Sequence, residues 1–295
     1  MTSHLVRSGR TVVVGDSPVA RGLREALGVR LHAPGGGGAR TRASEPSAQD
    51  DATAGFDGAG AVVVVGQTGD FESVVARRTV ERRAGTAERV HAAVAAAVAA
   101  GVVHVVGISS AMVEGAAPGR ALIDDADGPG SSTDGTVGTG LVPGTDHDID
   151  HGTDHDEGAA GDLRAFETAL REAAAVHQVQ RLTVLRPAVL VGPGVDTLLT
   201  RHFEAPRILT VRGTRRDWQL VHVDDLASAV AVVVDHGLAG VLTVGATSDG
   251  QPDVLDPDEV VAITGLRTVD LPAAVAFAAA ERLHRVGALP APASD

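Results

Sequence analysis

Uninterrupted β-branched runs alternate along this chain with stretches in which apolar residues recur at helical spacing. Thr11–Gly15 (TVVVG) and Ala61–Val65 (AVVVV) contain no polar break once they begin, the pattern of strands buried on both faces. Pro18–Leu27 sets Val19, Leu23, Ala26 and Leu27 on one side with Pro18 in the first turn, which predicts a helix. Val29–His32 reads as a second strand. Val80–Ala100 predicts a helix and Gly101–Ile108 (GVVHVVGI) the strand after it. Asp162–His177 is a helix with Asp162 as its cap, and Leu182–Val191 (LTVLRPAVLV) a strand running into the turn Gly192–Gly194. Further on come a strand at Gln219–Val223, a helix at Asp224–Asp235, a strand at Val241–Val244 and a helix at Pro257–Thr264. Ala273–Leu289 closes the series as an Ala-rich amphipathic helix. Strands alternating with helices imply the α/β class and a doubly wound parallel sheet with right-handed crossovers.

Two stretches break the rhythm. Residues 33–60 dissolve into Gly, Ser, Thr, Asp and Pro, and residues 121–161 are rich in Gly, Thr and Asp; both read as flexible loops. Eleven Asp and Glu and no Arg lie between Arg120 and Arg164, so this tract carries most of the net charge of −13. Within it, Asp146–Glu157 (DHDIDHGTDHDE) sets His147, His151 and His155 among carboxylates, a donor set able to hold Zn²⁺, Ni²⁺ or Mn²⁺. Gly152 and the density of Asp oppose the helix that would align the three rings, so a solvated acidic loop is the favoured reading and no metal is expected.

Composition narrows the chemistry. The 295 residues include no Tyr, Lys, Asn or Cys, and all 25 basic residues are Arg. Codon bias toward GC explains replacing Lys by Arg on a surface, but Arg cannot exchange a proton near neutral pH and Phe cannot carry one. Without Cys there are no disulfides, thiolate metal sites or Cys nucleophiles, which suits a cytoplasmic location. The polar start, Met1–Arg10, shows no signal peptide. The longest apolar stretch, Val90–Ile108, is broken by His91, Gly101 and His104 and fits helix then strand better than a membrane span. The acidic balance excludes a nucleic-acid partner.

Three stretches carry a resemblance. Gly85–Thr86 followed by Ala92–Gly115 (AAVAAAVAAGVVHVVGISSAMVEG), LRPAVLVGPG (Leu185–Gly194) and RRDWQLVHVDDLASAV (Arg215–Val230) are similar, in order and spacing, to the NAD-dependent epimerase/dehydratase family of extended short-chain dehydrogenases. GPGVDTLLTRHF (Gly192–Phe203) resembles an actinobacterial, epimerase-like branch. The resemblance covers roughly Thr11 to Leu271 apart from the two loops. It implies a Rossmann-like nucleotide-binding domain over residues 1–195 and a mainly substrate-binding lobe over 196–295, with residues 219–236 packing back on the first. It also implies NAD or NADP as cofactor, a nucleotide-type small molecule as ligand, and a homodimer.

The same resemblance distributes roles, and several positions depart from it. The phosphate-binding turn should read Gly-x-x-Gly-x-x-Gly, so that backbone N–H groups reach the pyrophosphate at a helix N-terminus. Here it reads VVVGDSPVARGL. With Gly15 in the first glycine's place Pro18 and Arg21 take the others, whereas with Val14 first they are Ser17 and Ala20, both small, and Leu23 stays in phase, which favours the second register. Val14, Gly15, Ser17, Pro18, Val19 and Ala20 are the cofactor-binding candidates. The acid that would hold the adenosine ribose is missing, and Arg30 and His32 stand there, with Arg40 and Arg42 beyond. Ser110 matches the family's helper serine and is the catalytic candidate. Ala159 and Leu163 occupy the places of its Tyr and Lys, and Arg82 that of an upstream Asn. Arg216 takes the position that meets a nucleotide diphosphate through bidentate bonds. Asp224 and Asp225 read as an N-cap and a structural contact, and Arg186 as the anchor of a strand end. The expectation is a nucleotide-binding protein with impaired catalysis. The alternatives are an enzyme with a relocated acid/base and a non-enzymatic interaction module.

Overall fold

The computed structural model describes residues 10–15, 17–31, 54–66, 79–114, 158–213 and 217–285. Strand β1 (Arg10–Val14) leads into helix α1 (Pro18–Leu31). A 3-10 turn at Ala54–Phe56 precedes β2 (Ala59–Val65), after which come α2 (Thr79–Ala99), β3 (His104–Ile108) and a second 3-10 turn at Ala111–Glu114. Helix α3 (Gly158–Val176), β4 (Arg181–Pro187), β5 (Val189–Val191), α4 (Leu198–Glu204), β6 (Arg207–Val211) and β7 (Trp218–His222) follow. Helix α5 (Val223–His236) then leads to β8 (Gly240–Val244), β9 (Thr247–Ser248), β10 (Gln251–Pro252) and β11 (Val254–Leu255). The described chain ends with α6 (Pro257–Thr264), β12 (Arg267–Leu271) and α7 (Ala273–Arg285).

Five parallel strands in the order β1-β2-β3-β4-β8 form the main sheet. Side chains alternate across it, so consecutive valines serve opposite layers. Ala61 and Val63 face α1 and α5 together with Val19, Leu23, Val106, Leu226 and Val230. Val62 and Val64 face α2 and α3, against Val94, Val105, Phe166 and Leu170. Helices on both faces make this the doubly wound arrangement that the alternation predicts. Phe166, Leu23 and Leu170 are among the largest fully buried side chains, each stabilising the fold by roughly 1.5–3 kcal/mol. Glycine sets how close α3 lies to the sheet: a Cβ on Gly66 would overlap the Phe166 ring, and one on Gly107 would overlap Leu170.

Several expectations are corrected. Residues 29–31 are the last turn of α1, not a strand, because helical packing of Leu23, Ala26 and Leu27 carries the helix onward. Arg30 therefore stands on a helix, and among the described residues no strand end places it beside a ribose; His32, Arg40 and Arg42 lie outside them. The 33–60 loop ends early, since residues 54–56 are a 3-10 turn and β2 starts at Ala59. Likewise α3 begins at Gly158, inside the stretch read as loop, and Asp162 is a mid-helix residue bonded to Arg83 (2.9 Å) rather than a cap. Leu182–Val191 is not one strand. After Pro187 the chain leaves the main sheet, and β5 pairs with β7 in a separate three-stranded sheet with β11. The α5 N-cap is His222, whose Nδ1 accepts the Asp224 N–H at 3.2 Å, leaving Asp224 and Asp225 in the first turn. Their carboxylates there favour the positive end of the helix dipole.

Helix α5 shares a core with α1 and the sheet, and β8 adds the fifth strand. The remaining C-terminal elements include β6 paired parallel with β12, the hairpin of β9 and β10, and the capping-box helix α6 with Asp256 as N-cap.

Candidate functional site

In an open parallel sheet, ligands bind beyond the carboxyl ends of the strands, where the chain turns into helices. Two of the predicted groups meet there. The β1–α1 turn begins with Val14 and Gly15, whose φ of +120° suits glycine, and continues through Ser17 into the first turn of α1. The β3 end carries Ser109 and Ser110. One strand, β2, separates the two, so they stand roughly 10 Å apart along the sheet edge.

The nucleotide turn is already partly occupied by its own side chains. Ser17 caps α1, its Oγ accepting the Ala20 N–H at 3.2 Å, and Pro18 has no N–H to offer. Arg24, nine residues on, folds back to donate to the Gly15 carbonyl. Val19 and Ala20 are wholly buried in the core, so their side chains face away from any ligand and only backbone could serve. Two of the donors that an anion would use at this helix start are thus missing or taken.

Ser110 also takes part in local structure. It is almost fully buried, and its Oγ accepts the Met112 N–H at 3.2 Å while its carbonyl accepts the Val113 N–H at 3.1 Å. These bonds make it the cap that precedes the 3-10 turn, a common use of serine at a strand end. Arg164 on α3 secures the same turn by donating to the Val113 carbonyl at 3.2 Å.

Behind the serines lies a buried ion pair. Glu167 on α3 receives Nε of Arg186 at 2.9 Å and its Nη2 at 2.8 Å, and Arg171 adds a third bond at 2.6 Å. Glu167 and Arg186 are 1% and 3% exposed, so neither charge has water to fall back on. Burial by itself would raise the Glu167 carboxyl. The Arg186 hydrogen bonds, the nearby Ser109 hydroxyl, the Arg186 charge and Arg171 outweigh it and hold the group below the ordinary carboxylate range. Among the described residues the Ser109 hydroxyl has no partner within ordinary hydrogen-bond geometry. This pair fixes α3 against the end of β4, and the bidentate fork sets its rotation. With Glu167 turned toward the sheet, Leu163 one turn earlier lies on the same face and is buried. Ala159 sits in the first turn of α3. Ala159, Leu163 and Glu167 follow one another at four-residue spacing, so the helix face that carries Glu167 presents a methyl group and an isobutyl group before it.

Sequence reading of Arg186 as a strand anchor omitted its partner. Glu167 was detectable as the one acid among Leu163, Phe166, Leu170 and Ala174 on the apolar face of α3. The remaining candidates divide. Arg216 and the His147, His151 and His155 tract lie outside the described residues. Next to Arg216, Trp218 packs edge-on to Phe203 (ring centres 5.3 Å apart) and tilted to His202 (6.2 Å). Burial lowers the pKa of His202. Among the described residues no group of three or more His, Asp or Glu is arranged to hold a metal, and no helix is long and apolar enough to cross a membrane.

No family model matches the chain. A 65-residue stretch, 22% of the chain, is 35% identical to an uncharacterized protein of Mycobacterium tuberculosis and spans only 17% of that relative; the Mycobacterium bovis counterpart matches equally. Solved structures align over most of the chain. MoeE5 in complex with UDP-glucuronic acid and NAD superposes with a TM-score of 0.59 at 18% identity, covering 90% of this chain and 86% of that one. The UDP-N-acetylglucosamine 4-epimerase from Bacillus cereus gives 0.55 at 13% identity, covering 89% and 84%. The chain thus shares the Rossmann-type fold of these proteins.

Proposed function

We propose that this chain is a cytoplasmic nucleotide-binding member of the NAD-dependent epimerase/dehydratase family, from its actinobacterial branch, whose proton-transfer chemistry has been removed. One observation carries the reading. The buried Glu167–Arg186 pair ties α3 to the end of β4, and the positions that lead up to Glu167 at four-residue spacing are Ala159 and Leu163, in a chain without Tyr or Lys. In the family that the sequence resembles, a phenol made acidic by a neighbouring ammonium handles the proton at this place. A methyl and an isobutyl group cannot.

The fold shared with MoeE5, whose structure holds NAD and UDP-glucuronic acid, supports NAD or NADP as the cofactor and a sugar nucleotide as the second ligand. In this chain the cofactor would rest on the backbone of Gly15 and the first turn of α1, where the helix dipole favours a pyrophosphate. The residues fit that group in part. Gly15 leaves room, whereas Ser17 and Pro18 withdraw two N–H donors. Bound there, a nicotinamide would supply reversible hydride acceptance. The chain's own part would be to hold the dinucleotide, orient a sugar nucleotide and, through Arg216, pair with its diphosphate. Residues 1–195 would form the nucleotide domain and the later elements the sugar-nucleotide lobe.

Trp218 is the sole indole and there is no Tyr, so its emission reports on the neighbourhood of Arg216. Titration with NAD, NADP and their reduced forms, followed by this emission and by thermal unfolding, tests the reading. Ligand at 100 times Kd raises stability by about 2.7 kcal/mol. UDP-glucose or UDP-glucuronic acid is then expected to bind without being converted. Sugar-nucleotide epimerisation at ordinary enzymatic rates, lost in Ser110→Ala, would establish the relocated acid/base instead. No response to any dinucleotide or sugar nucleotide would leave the interaction module.

A further inference from the structure

Outside this site, on the layer formed by α2 and α3, two imidazoles meet. His91 of α2 and His177, the residue following α3, have ring centres 6.3 Å apart and ring planes at 68°. Both are half-buried. A metal–nitrogen bond of about 2.0 Å puts each ring centre ~3.2 Å from a shared ion, so two ligating rings stand between ~5 Å and ~6.4 Å apart. The observed separation lies inside that interval, at its open end.

The two backbones are held for this purpose by unrelated contacts. Val90 and Val94 flank His91 and pack in one cluster with Ala169, Leu170 and Ala173 of α3. His177 keeps a helical bond to the Ala173 carbonyl at 3.0 Å. Gln178 then adopts φ of +54°, a left-handed conformation uncommon for a residue other than glycine. It closes the helix with bonds from Gln178 N–H to the Ala175 carbonyl (3.2 Å) and from Val179 N–H to the Ala174 carbonyl (2.9 Å). His177 thereby stands at the carboxyl end of α3, where the helix dipole favours a cation.

We propose that His91 and His177 form a two-imidazole site for a late first-row divalent ion of the Cu²⁺, Ni²⁺ or Zn²⁺ class, clamping α2 to α3. Imidazole donors select these ions over Mg²⁺ or Ca²⁺, and copper binds most strongly in the series. No third His or carboxylate completes the group among the described residues, so water fills the other positions. Binding couples to folding because the two ligands lie far apart in sequence and meet only in the native packing. This proposal does not depend on nucleotide binding and can fail without affecting it.

The test uses the full chain without an affinity tag, titrated with Cu²⁺ and followed by electron paramagnetic resonance and thermal unfolding. One high-affinity ion with two imidazole nitrogens is expected, together with a rise in midpoint of at least ~5 °C at 100 times Kd. His91→Ala and His177→Ala should each weaken Cu²⁺ at least ~10-fold, as loss of even an outer-sphere partner does. Both variants should keep their far-ultraviolet circular dichroism, since the rings are half-exposed. A combined change of His147, His151 and His155 to Ala should leave the signal and the midpoint shift in place. The proposal is overturned if His91→Ala and His177→Ala bind Cu²⁺ within about twofold of the parent, or if the signal disappears with the three loop histidines.

Discussion

Replacing Arg186 by Met tests the buried pair that orients α3. The substitution keeps an unbranched side chain in a 3% exposed position but withdraws two of the three bonds to Glu167. Arg171 remains, yet its side chain is 43% exposed, so it approaches from the wet side and cannot replace the fork. Stranding one member of a buried pair costs about 3–5 kcal/mol, mostly as desolvation of the surviving charge. At roughly 2–4 °C per kcal/mol for a chain of this size, the unfolding midpoint should fall by at least ~6 °C. The pH dependence has a definite sign. Parent Glu167 has a lowered carboxyl pKa, so its stabilisation is complete above the unfolded value and is lost as pH falls through the folded one. In Arg186→Met burial is opposed only by Ser109 and Arg171, so the Glu167 pKa rises above that of the parent and protonation relieves the penalty. The stability gap between parent and variant should therefore narrow as pH falls from 7 toward 5. Urea unfolding followed by circular dichroism at several pH values measures it. Changing both partners, Arg186→Met with Glu167→Leu, should recover most of the loss. A single-variant cost below about 1 kcal/mol at pH 7, or a gap that ignores pH, would refute the assignment of Glu167 as a buried, arginine-held anion.

Three other outcomes follow from the same structure. Ser17→Gly frees the Ala20 N–H and should tighten dinucleotide binding by up to about fivefold, the worth of one hydrogen bond, in the Trp218 titration; weaker binding would mean the serine contacts the ligand itself. Gly66→Ala should lower stability by about 1–3 kcal/mol in thermal unfolding, because its Cβ must displace Phe166 from a filled core. His104 is a buried neutral imidazole. Thr183 donates to the Leu238 carbonyl at 2.5 Å, so His104 Nε2 must donate to Thr183 Oγ1 at 2.8 Å, leaving Nδ1 with no hydrogen-bond partner among the described residues. Burial and then the Arg181 charge lower its pKa, against a smaller opposing effect of the Leu238 carbonyl. The unfolded chain therefore takes up the proton first, and stability should fall as pH drops below about 6.5. His104→Val should remove one proton's share of that slope, and an unchanged slope would count against the neutral assignment.

The parts of this protein that could be read from the chain are those whose physics is local. Ala61–Val65 could only be a doubly buried strand, because five consecutive apolar residues, four of them β-branched, leave no polar face. Pro257–Thr264 was delimited at both ends by Asp256, Pro257 and Gly265, each acting on the backbone within a few residues of itself. Absence was equally legible: a chain without Tyr or Lys cannot place a phenol and an ammonium anywhere. Tertiary structure decided what depends on partners distant in sequence. Whether residues 29–31 continue a helix or begin a strand turned on the packing of α1 against α5 and the sheet. Whether β5 stays beside β4 turned on the competing ladder offered by β7, whose strand begins some thirty residues later. Glu167 lies on an apolar helix face, and only the placement of β4 beside α3 supplies Arg186 as its partner. That Ser110 accepts the Met112 N–H could not be read from the chain, because the bond depends on how the segment after β3 turns. A side chain's type states what bonds it can make, and only the folded neighbourhood states which of them are already made.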